Sequence, residues 1–429
     1  MGGIKKTVRS AALLFLCAVL ITAVTGCWMT ESAWGWQADS EDLVWGRILQ
    51  MQQGDENAGG FLGKYVPEGQ YGYLRESFLQ GNAEGQWSAY THQTGLQGTL
   101  YGAVNLVLKM VVSSAKVRWA ALRFGNSALC VAAMLLMAGW IRKKAGLAAA
   151  AAGFSCVFLV PYSLMSLPNL YWATWTLAVP FVVSATVCEW ISREQKHLFA
   201  GAALIGAATF LRCLCGFEFI SSVMIAAELP VLWELLCAEK HRRGFWLRGA
   251  FLVAAFQLAA FGLSFGLWMI QDFLYLRDWT LVKADVLATI AKRTGAFAEW
   301  MPADEAYAAS LQVPRLKILT WYFSEAIYAK VFPVAGLMLL AVFSYILLQA
   351  CERIFKKKSA KTARMGRWLI FALASTAGPA SWFLLASGHS FIHRTINEVM
   401  WLFPTLPLLL AAIAGNVAAL VSMLRKDEL

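Results

Sequence analysis

Residues 331–348 read VFPVAGLMLLAVFSYILL, an apolar run without a charged side chain, and Arg353, Lys356, Lys357, Lys358, Lys361, Arg364 and Arg367 follow it. A helix needs roughly 20 apolar residues to cross the hydrocarbon core of a bilayer. A basic cluster at one end of such a run marks its cytoplasmic end. This one segment therefore predicts a membrane span together with its orientation.

The same unit recurs on both sides of it. A first span is predicted from Ala11 to about Gly26, behind Lys5, Lys6 and Arg9. Others are predicted at 126–140, closed by Arg142, Lys143 and Lys144, and at 147–161. A fourth ends near Glu189, a fifth runs over 198–210, and a sixth ends at Cys237 before Lys240, Arg242 and Arg243. Runs over 249–270, 368–386 and 399–424 complete the set. Alternation gives about ten transmembrane helices with both termini cytoplasmic. The fold class expected is an all-α integral membrane protein, one polytopic domain over residues 1–429.

Composition agrees. Of the 429 residues 59% are hydrophobic and 15% charged, with a mean hydropathy of +0.55. Soluble domains carry about 25% charged residues. The net charge of +11 would suggest nucleic acid in a soluble protein. Here the basic residues sit in short runs between apolar segments, so nucleic acid is excluded as a partner and membrane lipids are expected. The nine cysteines are scattered through apolar runs as small hydrophobes. They form no CxxC pair and no zinc spacing.

Two long polar stretches fall on the side opposite the basic clusters. The first extracytoplasmic loop is predicted over 28–123, the second over 271–330. Trp28, Trp34, Trp36 and Trp45 follow the first span as interfacial tryptophans do. Residues 99–112 are apolar but short and contain Lys109, which predicts a helix lying in the interface. Val24-Thr25-Gly26-Cys27 fits a relaxed lipobox, and Lys426-Asp427-Glu428-Leu429 fits an ER-retrieval signal. A cytoplasmic C-terminus would hide the latter, so Arg425 and Lys426 are taken as ordinary cytoplasmic anchors.

Large outer loops with few mid-span charges favour a reaction or binding event at the outer face over a transport path. No P-loop and no GxGxxG is present, which argues against a nucleotide-driven pump. The acidic run Asp39-Ser40-Glu41-Asp42 could take a proton from a sugar hydroxyl or hold a divalent cation. It could equally favour the dipole of a short helix ended by Gly54. Lys292, Arg293, Arg212, His389, His393 and Arg394 are cationic or titratable groups on the same predicted face. Together they suit a lipid-linked phosphate; singly each could be a snorkelling residue. His389 and His393, four apart, would share one face of a helix. They lack the carboxylate of an HExxH site, so no metal ligand set is assigned.

The layout resembles the GT-C superfamily of membrane glycosyltransferases, in which an acidic residue sits soon after the first span. Asp39, Glu41 and Asp42 occupy that place. Thr91-His92-Gln93-Thr94-Gly95-Leu96-Gln97-Gly98, then an interfacial segment, then Val117-Arg118 to Leu122-Arg123, stand where many members have a turn, an interfacial helix and an Arg-entered span. The prolines of that turn are missing. The chain is more similar still to a little-characterised group of bacterial proteins related to these enzymes, through Gly46-Arg47, Gly95 to Gly98, Asn169 to Trp172, Gly216 to Phe219, Lys292 to Thr294 and the His393 to Trp401 region.

The resemblance implies transfer of a sugar from a polyprenyl-phosphate donor in the outer leaflet of the bacterial cytoplasmic membrane. The acceptor would be an extracytoplasmic glycan, lipid or protein, and transfer would proceed with inversion. It implies Asp39 or Glu41 as the catalytic carboxylate. Asp42, Arg47, His92, Gln97, Arg212, Glu218, Lys292, Arg293, His389, His393 and Arg394 would bind substrate. It requires no cofactor but admits a divalent cation, Mg or Mn. A glycolipid transporter or flippase, and a surface-polysaccharide polymerase or ligase, are the competing functions; the absence of internal repeats weighs against the transporter.

Overall fold

The computed structural model describes residues 2–26, 36–54, 59–66, 73–194, 196–300, 305–356 and 360–425. Cys27, Trp28, Trp34 and Lys426–Leu429, and with them the lipobox and retrieval-signal readings, lie outside the described residues.

The chain enters as α1 (Gly2–Thr25). The segment after it holds α2 (Ala38–Gln53), β1 (Leu62–Val66), α3 (Tyr73–Gln80), β2 (Gln86–Tyr90) and α4 (Leu96–Lys109). Strands β1 and β2 form an antiparallel hairpin in which Lys64 faces Ser88. This small sheet was not foreseen. It is docked on α2 at Gly46, where a Cβ would collide with the Gly63 carbonyl. The predicted interfacial helix is present, but it starts earlier: Gly95 at φ 75° turns the chain into α4 at Leu96.

Helix α5 (Ala115–Ala145) is capped by Ser114, whose hydroxyl accepts from Val117 N at 3.4 Å. It begins inside the stretch read as the first loop, nine residues before Phe124. The predicted third span is broken. Helix α6 (Leu147–Phe154) stops at Ser155, α7 (Cys156–Leu159) is a single turn, and Val160 is extended before Pro161 opens α8 (Pro161–Ser166). A residue before proline is pushed out of the helical region, which accounts for the last break.

Helices α9 (Trp175–Glu194), α10 (Leu198–Cys215) and α11 (Ile220–Cys237) follow. Helix α12 (Arg243–Leu276) is longer than the predicted 249–270 run and carries six more residues towards the site. Next come α13 (Trp279–Thr294), α14 (Glu305–Leu311), α15 (Arg315–Ser324), and a two-stranded turn of β3 (Ala326–Tyr328) and β4 (Phe332–Pro333). Helix α16 (Val334–Ile354) is the span of the opening stretch. Beyond it lie α17 (Ala360–Ala374), α18 (Ala377–Leu385), α19 (Ser387–Ile392), α20 (Arg394–Asn397) and α21 (Thr405–Leu424).

Among the described residues, eight helices are long and apolar enough to cross a membrane, with shorter apolar helices at Ser10–Thr25 and Leu147–Leu159. The protein is thus a helical, multi-pass membrane protein. Helix α10 packs on α12, α9 on α10 and α11, and α21 on α6, α16 and α17. Trp140, Trp233, Trp368 and Phe371 interlock at the centre, with Trp233 and Trp368 ring centroids 4.9 Å apart. Exposed Leu, Ile, Val and Phe side chains cover the outside of α12 and α16, as lipid-facing surfaces require.

The two ends of this bundle differ. At one end Lys143 meets Glu189 at 2.7 Å, Lys144 meets Glu234 at 2.7 Å, and Arg364 donates to the Lys143 carbonyl at 3.1 Å. These are the predicted basic ends of the spans. The segments with polar side chains facing a cavity are gathered at the other end.

Candidate active site

Seven separate pieces of chain build one cavity of about 440 Å³. The N-terminus of α2 brings Asp39. The hairpin brings Lys64, Ser88 and Tyr90, and the residues after β2 bring His92. The turn between α8 and α9 brings Tyr171 and Trp172, and the turn after α10 brings Glu218. Helix α13 contributes Thr289, Lys292 and Arg293, α14 contributes Tyr307, and α19 with its C-terminal neighbour contributes His389 and His393.

Asp39 and Glu41 part company here. Residues two apart on a helix do not share a face. Asp39 is exposed on the cavity side, whereas Glu41 is 3% exposed. Glu41 Oε2 accepts from Arg123 Nη1 at 2.5 Å and Glu41 Oε1 from the Leu170 N–H at 2.9 Å. Glu41 therefore does not line the cavity: it pins the turn that carries Tyr171 and Trp172. Asp42 is half-buried on α2 and does not line the cavity.

Three more of the expected binding residues work on the same supporting layer. Gln97 donates to the Tyr171 carbonyl at 3.1 Å. Arg212, 2% exposed, donates to Thr176 Oγ1 at 3.1 Å and to the Glu218 carbonyl at 2.9 Å. Arg47 donates to Gln50 at 2.6 Å within α2. None of the three lines the cavity; Gln97 and Arg212 position residues that do. Arg394 pairs with Glu325 at 2.5 Å on a more exposed surface and also lies outside the lining.

The turn itself is tightly held. Asn126 Nδ2 donates to the Leu167 and Asn169 carbonyls at 2.8 and 3.0 Å, while Asn169 Oδ1 accepts from the Tyr171 and Trp172 N–H groups at 3.1 and 3.2 Å. A buried backbone group left without a partner is costly, so this network fixes one conformation. Gly216 does the same for the next turn. It sits at φ 150°, and a Cβ there would strike Glu218 Oε2 and Gln93 Oε1.

Charge is organised around Arg293. Its guanidinium meets Glu218 Oε1 at 2.6 Å with both side chains largely buried. Burial opposes its charge, but Glu218 and the neighbouring tyrosines outweigh this and hold the pKa above the ordinary arginine value. Burial, reinforced by Glu218, pushes the Tyr90 hydroxyl up to about 12, and burial with Tyr90 and Glu218 nearby also raises Tyr171 well above its usual value. Both phenols therefore stay neutral donors. Burial, then the neighbouring His393 and Arg293, hold His389 well below the usual imidazole value; burial likewise lowers His393, against the pull of Asp39 and Glu218. The two rings are 4.7 Å apart. Among the described residues no three His, Cys, Asp or Glu side chains are grouped to hold a metal ion. No chemistry is routed through a divalent cation.

Beside the polar cavity lies an apolar cleft of about 200 Å³, walled by Phe217, Phe261, Phe265, Trp268, Ile290 and Trp382 among others. Thr289 and Arg293 line both spaces. A chamber of carboxylates, phenols and imidazoles and a hydrocarbon-like slot thus share Thr289 and Arg293 as wall residues.

Sequence reasoning brought Asp39, His92, Glu218, Lys292, Arg293, His389 and His393 to this cavity and missed Lys64, Tyr90, Tyr171, Trp172, Thr289 and Tyr307. The helical spacing of Thr289 with Arg293 was a usable signal for one of them. The hairpin residues had none, because their placement depends on packing between distant segments. Comparison of the chain with protein-family models, curated proteins and solved structures returns no match.

Proposed function

We propose that this protein is a membrane glycosyltransferase that moves a sugar from a polyprenyl-phosphate donor to an extracytoplasmic acceptor, with inversion. The observation that carries the reading is the junction at Arg293, which lines a polar cavity and an apolar cleft at once. An amphiphile whose anionic group joins a polar head to a hydrocarbon tail matches that sequence of environments. Arg binds phosphate through a bidentate fork, and Lys292, over the Tyr307 ring at 5.7 Å, adds a second cation. Tyr90, Tyr171 and Trp172 offer apolar ring faces and polar edges, which suit a sugar. About ten spans, cytoplasmic termini and a bacterial cytoplasmic membrane complete the reading; with the basic end of the bundle inside, the cavity faces outward.

In this reading the donor's phosphate lies against Arg293 and Lys292 and its prenyl chain in the cleft. The acceptor hydroxyl attacks the anomeric carbon from the opposite side while the carbon–oxygen bond to phosphate breaks. Phosphate is a good leaving group, so the work of the site is positioning and offsetting developing negative charge. Asp39 orients the acceptor from the N-terminus of α2.

The test is binding by the full chain in lipid nanodiscs. A ten-carbon-or-longer polyprenyl phosphate should raise the melting temperature, the matching polyprenol without phosphate should not, and Arg293→Met should abolish the rise. Ile290→Trp, which fills the cleft, should weaken long-chain phosphates more than inorganic phosphate. Equal stabilisation by the polyprenol, or full phosphate binding by Arg293→Met, would overturn the proposal.

A further inference from the structure

A histidine–carboxylate pair stands at the cavity beside the expected carboxylates. His92 Nδ1 lies 3.0 Å from Asp285 Oδ1 and 2.9 Å from Thr289 Oγ1. The hydrogen bond at Nδ1 is to Thr289 Oγ1, and the Asp285 charge beside it favours the tautomer with the proton on Nδ1, which leaves the lone pair on Nε2. His92 lines the cavity, and its ring is held edge-on by Tyr90 at 4.9 Å. Asp285 is one turn of α13 before Thr289, and its second oxygen makes no hydrogen bond among the described residues. The carboxylate's other oxygen thus faces His92. Residues 285, 289 and 292 recur at helical spacing on one face of α13; Thr289 and Lys292 line the cavity, and Asp285 stands beside His92, which also lines it.

We propose that His92, oriented by Asp285, is the general base that takes the acceptor's proton, and that Asp39 positions the acceptor without taking it. This rests on the transferase reading. The step balances: the acceptor O–H bond breaks and its proton passes to His92 Nε2. The freed oxygen pair forms the new bond to the anomeric carbon. The pair of the old carbon–oxygen bond leaves with the phosphate. Asp285 holds the resulting imidazolium until its proton passes to water. The other charged or titratable acids, bases and imidazoles on the cavity walls are Asp39, Lys64, Glu218, Lys292, Arg293, His389 and His393, and Asp272 of α12 feels the charge of Asp285.

Two measurements on the full chain test this. The first needs no substrate. Carbethoxylation of His92 by diethyl pyrocarbonate, mapped by mass spectrometry across pH, follows the neutral imidazole. A carboxylate beside an imidazole favours its protonated form, so the reactivity midpoint of His92 should fall in Asp285→Asn. Identical midpoints would overturn the dyad even if the protein transfers sugar. The second uses synthetic ten-carbon polyprenyl-phosphate glucose, galactose and mannose, with donor consumption as readout. Asp285→Asn should lower kcat by about 10²-fold with KM nearly unchanged and shift the acid limb of the kcat profile downward. His92→Gln, which retains a donor for Asp285, should remove that limb. A limb that survives in His92→Gln but disappears in Asp39→Asn would hand the proton to Asp39 and overturn the proposal. If the wild type consumes none of these donors, the transferase reading fails, and a shifted midpoint in the first measurement would still uphold a histidine–aspartate base at this cavity.

Discussion

Replacing Glu41 with Ala should be among the most damaging single changes in the molecule, through stability and not through chemistry. Arg123 is fully buried, Glu41 side-chain exposure is 4%, and the contact is 2.5 Å. With charge centres about 4 Å apart and an effective dielectric near 20, their attraction is about 4 kcal/mol. Deleting one partner leaves a guanidinium in a dry site, a change that typically costs about 3–5 kcal/mol. The Leu170 N–H also loses its acceptor, but the two losses share one side chain and do not add. Unfolding free energies from sodium dodecyl sulfate titration in mixed micelles would measure the loss. Arg123→Ala should cost a similar amount, and the double variant should cost clearly less than the sum of the two. Additive losses, or a Glu41→Ala variant within about 1 kcal/mol of the wild type, would refute the reasoning that this acid is a structural anchor.

Other outcomes follow from the same structure. Unfolded imidazoles titrate near 6.5, whereas burial holds His389 and His393 lower. Below about 6.5 the unfolded chain therefore binds protons that the folded chain refuses. Stability should be fully present above that pH and fall as the solution is acidified, and His389→Gln should flatten the fall in melting temperature. Glu398 has the opposite sign: burial, then Glu325, raise its carboxyl from 4.5 to about 8. Its contribution is complete below the lower value and lost as pH rises through the upper one, so Glu398→Gln should raise the melting temperature at pH 8.5 and leave it unchanged at pH 4.5. Gly216→Ala should impair phosphate-lipid binding more than Gly244→Ala, because its Cβ strikes Glu218 and Gln93 while nothing lies near one at Gly244; equal effects would remove Gly216 from the site's support.

The apolar spans were legible because hydropathy over long windows is a property of the chain itself. The opening stretch 331–348 overlaps α16, which starts three residues later and runs six residues further. Breaks inside spans were less visible. Pro161 signalled one, but the interruption between α17 and α18 falls at Ser375 and Thr376, whose hydroxyls turn back onto the Ala372 and Leu373 carbonyls, a competition any Ser or Thr in a helix can win or lose. The hairpin was hidden in a polar loop because its two short strands are stabilised by docking on α2. Within the site, the basic and acidic residues could be assigned to one end of the bundle from span alternation. Which of them would face inward could not, since that depends on the rotation of each helix.

Asp39 and Glu41 show how much that rotation matters. Both are acids in the first turn of α2, and each alone satisfies the sequence pattern of an early acid after the first span. A helix advances 100° per residue, so two positions apart they point to nearly opposite sides. One side of α2 meets α5 and the turn before α9; the other meets open volume. The chemistry then divides by exposure: the buried acid must be paired by a buried arginine, and the exposed acid is free to address a ligand. Asp39→Asn should therefore leave the melting temperature unchanged, as surface substitutions usually do, while weakening sugar transfer from the polyprenyl-phosphate hexoses. Glu41→Gln should do the reverse in kind: it should lower the melting temperature, and at temperatures where the variant is folded it should retain donor turnover. If Asp39→Asn instead unfolds the protein, or Glu41→Gln is stable yet inactive, the assignment of inside and outside faces to α2 is wrong, and the cavity's carboxylate must be sought elsewhere on its walls.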